Sequence, residues 1–104
     1  LTTSRQRQIT IGWIKLVSEA TLTICNERGL HARAAARFVK LASEFDAEVL
    51  VTKDGQEVSG LSIMGLMMLA AAPGDKIAVR TSGKDEKSVL KAIAKLVKNK
   101  FEES

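Results

Sequence analysis

Hydrophobic and polar positions change their period several times along the chain, and each change marks an element. From Leu16 to Asn26 they alternate, with Ala20, Leu22 and Ile24 set against Thr21, Thr23 and Cys25, the two-residue period of a half-buried strand. Arg28-Gly29 breaks that run. From Ala32 to Phe45 the period becomes helical, placing Ala35, Phe38, Val39, Ala42 and Phe45 on one face, where small alanines allow close approach to a sheet. A second strand is predicted from Ala47 to Lys53 and a third from Gln56 to Gly60. Asp54-Gly55 between them suits a type I′ turn, which needs positive φ at both central positions. Ser62 stands as an N-cap before the short apolar helix Ile63-Met64-Gly65-Leu66-Met67-Met68-Leu69, and Pro73-Gly74 punctuates the turn beyond it. Lys76 to Thr81 alternates again with Ile77 and Val79 inward. Asp85-Glu86 then opens a last helix carrying Val89, Leu90, Ile93, Leu96 and Val97 at spacings of three and four.

The resulting order, β-α-β-β-α-β-α, gives an α+β open-faced β-sandwich with four strands and three helices packed on one face. The hairpin is antiparallel, and the pattern leaves the other pairings open. The length of 104 residues argues for one domain. Residues 1–15 are weakly patterned and are expected to form a partly flexible N-terminal extension, with the domain spanning 16–104.

Composition narrows the function. At 45% hydrophobic and 27% charged the chain is an ordinary globular one with a modest core. Its net charge of +4 matters less than where the cations stand, since Arg28, Arg33, Arg37 and Lys40 surround the single histidine, His31. Such a cluster suits a phosphate group or an acidic protein partner. Nucleic acid is not expected: three Phe, one Trp and no Tyr leave no basic–aromatic interleaving for base stacking. Cys25 is alone, which argues against an internal disulfide, for a reducing compartment and against a metal site. No apolar run reaches the roughly 18 residues that span a membrane. The stretch Ile9 to Val17 is interrupted by Gly12 and Lys15 where a signal-peptide core would be continuous. A cytoplasmic protein without cofactor, metal or membrane insertion is expected.

His31 lies where the loop becomes a helix. Neutral imidazole, with an ordinary pKa of about 6.5, is a competent nucleophile near pH 7. The unpaired amides and dipole of the following helix attract phosphate oxygens, and Arg33 can add charge-assisted hydrogen bonds. A surface or capping histidine with no chemistry would occupy the same place, so composition alone does not decide between the two.

Gly29-Leu30-His31-Ala32-Arg33, the later Leu61-Ser62-Ile63-Met64-Gly65-Leu66-Met67 and the element order together resemble the HPr family of histidine-containing phosphocarriers in the bacterial phosphoenolpyruvate-dependent phosphotransferase system. The resemblance spans essentially residues 16–103 and implies a four-stranded antiparallel sheet. It implies that His31 accepts a phosphoryl group on Nδ1 from enzyme I and passes it to an EIIA-type protein, with Arg33 steadying the phosphate. It also implies that Ser62 is phosphorylated by HPr kinase/phosphorylase, which would block docking at His31 through added charge. Capping alone would equally account for Ser62. Partner docking is expected at Arg28, Leu30, Ala32, Arg37, Leu61, Ile63, Met64 and Met67, an apolar patch with adaptable methionines inside a basic rim, on a monomer. Many family members have proline directly after the arginine; Ala34 stands there in this chain and loosens the expected helix start. The segment Ala34-Ala35-Ala36-Arg37-Phe38-Val39 resembles HPr-type proteins of α-proteobacteria, where nitrogen-related and regulatory branches are frequent. The alternative is a regulatory paralogue that acts mainly as a phosphorylation-controlled binding module.

Overall fold

β1 (Val17–Thr23) shows the alternation expected of a strand with one face covered. A computed structural model describes residues 17–103; the expected extension at 1–15 lies outside them. β2 (Glu48–Lys53), β3 (Gln56–Ser59) and β4 (Lys76–Ser82) complete an antiparallel sheet in the order β1-β4-β2-β3. The register sets Leu22 opposite Ile77, Ala20 and Val51 opposite Val79, and Val51 opposite Val58, so apolar residues collect on one face. Asp54 and Gly55 both take positive φ, as the tight hairpin requires.

α1 (Ala32–Ala42), α2 (Ile63–Met68) and α3 (Glu86–Lys98) supply the covering layer. Phe38, Ala34, Ala35 and Ala42 of α1, Leu66 of α2, and Val89, Ile93 and Val97 of α3 form one buried core with Val49, Val51, Ile77 and Val79. α1 packs against both other helices, while α3 lies along β1 and β4.

Element ends depart from the periodicity for local reasons. β1 ends at Thr23 because Ile24 exchanges its backbone bonds with the segment before β4, donating to Asp75 O at 2.9 Å and accepting from Gly74 N at 2.8 Å. α1 stops at Ala42 and not Phe45, since Glu44 and Phe45 bond to carbonyls three residues back. Phe45 still packs against the core. Glu86, expected as a first-turn acid, stands there but is buried and accepts from the Ser18 hydroxyl. Beyond α3 the chain turns through Lys100, Phe101 and Glu102, three successive non-glycine residues with φ of 57°, 54° and 64°. Phe101 is fully buried at this left-handed turn.

Candidate functional site

The loop that delivers His31 is closed on itself. Gly29 N donates to Asn26 O at 3.2 Å, Asn26 Nδ2 donates to Gly29 O at 2.7 Å, and His31 N donates to Gly29 O at 2.9 Å. Leu30 N reaches Ala71 O at 2.9 Å, tying the loop to the segment after α2. Gly29 is required here: its φ is +67°, and a Cβ would stand 2.3 Å from Ala71 O.

His31 itself is the N-cap of α1, and its Nδ1 accepts the Arg33 amide at 3.3 Å. Its other ring nitrogen, Nε2, faces the Glu103 carboxylate. The Asn26 amide also donates to Glu103, at 3.2 Å. The imidazole N–H on the Glu103 carboxylate holds that group below the usual carboxylate range, with Asn26 and Arg28 contributing and burial opposing. A cleft of about 450 Å³ opens beside the imidazole, lined by Arg28, Arg33, Arg37 and Lys100 among the cations and by Glu27, Glu102 and Glu103. Basic groups thus surround one nucleophile at a helix N-terminus, an arrangement that suits a phosphoryl group.

Arg28 and Ala32 are exposed on this rim. Arg37 is half-buried and spends a guanidinium N–H on the Phe101 carbonyl at 2.5 Å, so it anchors the C-terminal turn instead of standing wholly towards a partner. Leu30 corrects the expected docking set: at 4% exposure its side chain belongs to the core, because its backbone is drawn inward onto Ala71. Leu61, Ile63, Met64 and Met67 are exposed, joined by Met68, since a six-residue helix buries only Leu66. Ser62 caps α2, its hydroxyl accepting from Gly65 N at 2.9 Å. Ala34 is buried in the first turn of a regular helix, with Ala35 N bonded to His31 O at 2.8 Å. Asn26 and Glu103 were not singled out from the sequence. Asn26 had a weak signal, a turn-forming residue before Gly29; Glu103 had none. Among the described residues no group of three or more His, Cys, Asp or Glu is placed to hold a metal, and no helix is long and apolar enough to cross a membrane.

Comparison with known proteins agrees with this fold. Residues 18–99 match the family model described as PTS HPr component phosphorylation site. A phosphocarrier protein HPr of Neisseria meningitidis serogroup A is 48% identical over 83 residues, covering 80% of this chain and 93% of that protein. A phosphocarrier protein NPr of Shewanella violacea is 44% identical over 86 residues, covering 83% and 94%. A crystal structure of HPr from Thermoanaerobacter tengcongensis superposes with a TM-score of 0.80 at 41% identity, covering 84% of this chain and 98% of that one. With an antiparallel open-faced sandwich, a histidine capping its first helix and relatives matched over nearly their whole length, the chain belongs to the HPr family of phosphocarriers of the phosphotransferase system.

Proposed function

We propose that the chain carries a phosphoryl group on His31 Nδ1, taking it from phosphorylated enzyme I and handing it to an EIIA-type protein of a sugar or nitrogen branch. The observation that carries this reading is the position of Nδ1 at the head of α1, where it faces the Arg33 amide of the helix's first turn. In the transfer the Nδ1 lone pair forms the new N–P bond as the donor's bond to phosphorus breaks, its electron pair returning to the donor. The Arg33 amide, released from Nδ1, then serves a phosphoryl oxygen together with the Arg33 guanidinium. The imidazole is only partly covered and opens onto the cleft, as suits a group that has to leave again. A carrier of this kind turns over no substrate alone and works in the cytoplasm, with 16–104 as the carrier unit.

Docking falls to the exposed face of α2, with Leu61, Ile63, Met64 and Met67, and to Arg28 and Ala32 beside His31. Ser62 stands among these side chains, and its phosphorylation by HPr kinase/phosphorylase would place about −1.5 to −2 charge in an apolar interface. Incubation with enzyme I and phosphoenolpyruvate should give one acid-labile phosphate that His31→Ala abolishes; a wild-type protein that takes no label overturns the carrier reading. Acid-stable label from the kinase should disappear in Ser62→Ala, and label elsewhere overturns the regulatory assignment.

A further inference from the structure

We infer that Glu103, oriented by Asn26, is a positioning residue that fixes the His31 ring as its Nε2–H tautomer and so keeps the Nδ1 lone pair available for phosphoryl transfer. The inference rests on the carrier reading above but concerns a different residue and a different observable.

Two hydrogen bonds at the ring nitrogens fix the proton arrangement, and a buried amide supports them. An ionised carboxylate only accepts, so the ring nitrogen facing Glu103 has to be the donor. The opposite nitrogen, Nδ1, meets a backbone N–H, which only donates, and therefore carries the lone pair. Asn26 completes the set. Its side chain is fully buried, and its two amide hydrogens are committed to Gly29 O at 2.7 Å and to a Glu103 oxygen at 3.2 Å. Its own Oδ1 is buried and unpartnered among the described residues, so these two acceptors decide which way the amide faces. The same buried amide thus closes the loop in front of His31 and holds the carboxylate behind the ring.

The C-terminal turn brings Glu103 there. Phe101 fills the core and Arg37 holds its carbonyl, so the chain emerges towards the imidazole. The other charges around the pair are Arg28, Arg33, Arg37 and Lys100 against Glu27 and Glu102, and none of these is hydrogen-bonded to Nε2. Glu103 is also in place to stabilise the product. When a neutral imidazole attacks a phosphohistidine donor, the positive charge of the donor ring passes to the acceptor ring. That charge appears on the Nε2–H bonded to the carboxylate.

The test uses the full chain and its Glu103→Ala and Glu103→Gln variants, with folding checked by thermal denaturation. Nitrogen-15 NMR of the His31 ring at neutral to mildly alkaline pH should show the Nε2–H tautomer alone in the wild type. The Nδ1–H form should become measurable in Glu103→Ala. Initial labelling by phosphorylated enzyme I should fall roughly tenfold in Glu103→Ala, of order one hydrogen bond to a charged group. Glu103→Gln, which keeps an acceptor oxygen without the charge, should fall between. A wild-type ring protonated on Nδ1, or a folded Glu103→Ala variant with unchanged tautomer and rate, overturns the assignment. A wild type that takes no label on His31 would instead defeat the carrier reading, and the tautomer measurement would still decide the role of Glu103.

Discussion

His31 depends on neighbours of two kinds, those adjacent in sequence and those brought from far away. Gly29 and Arg33 were legible because they share its segment. A glycine before a helix start and a cation two residues after the imidazole follow from local rules. Glu103 lies 72 residues away, and no periodicity connects it to the loop. Gly29→Ala tests the local kind. Left-handed φ costs an L-residue about 1–2 kcal/mol, and the added Cβ meets a backbone carbonyl that cannot rotate aside. A loss of about 2–4 kcal/mol in urea unfolding is expected, with labelling at His31 slowed even where the variant is folded. Acid titration tests the distant kind. Because the folded pKa of Glu103 lies below its ordinary 4.5, the contact stabilises above that value and is lost as pH falls through the folded one. The wild type should therefore be more heat-stable than Glu103→Gln near neutrality, and that advantage should shrink below about pH 4.5. A constant difference down to pH 2 would contradict the assigned hydrogen bond between His31 and the Glu103 carboxylate.

The helices show what a pattern of residues can and cannot convey. The starts of α1 and α2 were readable because both carry side-chain caps, His31 and Ser62. The end of α1 was not, because Phe45 continues the apolar period while the backbone has already turned. Apolar spacing records which side chains meet the core, and a side chain outside the helix can still do so. The same ambiguity made α2 hard to divide into core and surface, and its shortness resolves it. Six residues offer one inward position, taken by Leu66, so Met64 at 70% and Met68 at 64% exposure are left facing outward. Two substitutions separate capping from docking. Ser62→Ala should cost about 1 kcal/mol of stability in urea and leave transfer to His31 nearly unchanged. Met64→Glu should leave the melting temperature unchanged but raise the KM of enzyme I for this protein roughly tenfold, the effect of losing an exposed apolar contact worth about 1–2 kcal/mol. An unchanged KM would remove α2 from the docking surface.

Across the whole molecule, the two ends of the described chain are joined through the site. β1 leads into the Asn26 loop, and the segment after α3 returns to meet it, with Cys25 Sγ donating to Val97 O at 3.3 Å nearby. The element order could be read in sequence, but this closure could not, because Lys100 and Phe101 are poor left-handed residues and gave no turn signal. Packing overrides the local preference: three left-handed residues oppose the turn by about 1–2 kcal/mol each, and burial of Phe101 and the Arg37 bond offset it. Phe101 should then serve both stability and site geometry. Phe101→Ala should lose about 3–5 kcal/mol. That is a large part of the total, which at about 0.05–0.15 kcal/mol per residue is of order 10 kcal/mol. Phe101→Leu, which refills most of the space, should lose much less. Well below its melting temperature, Phe101→Ala should still accept phosphoryl groups more slowly than the wild type, because the turn holding Glu103 behind the imidazole has lost its anchor. Urea unfolding and labelling rates at 10 °C measure the two effects separately. A Phe101→Ala protein that is destabilised but labels at the wild-type rate would show that the turn supports the fold without positioning the histidine.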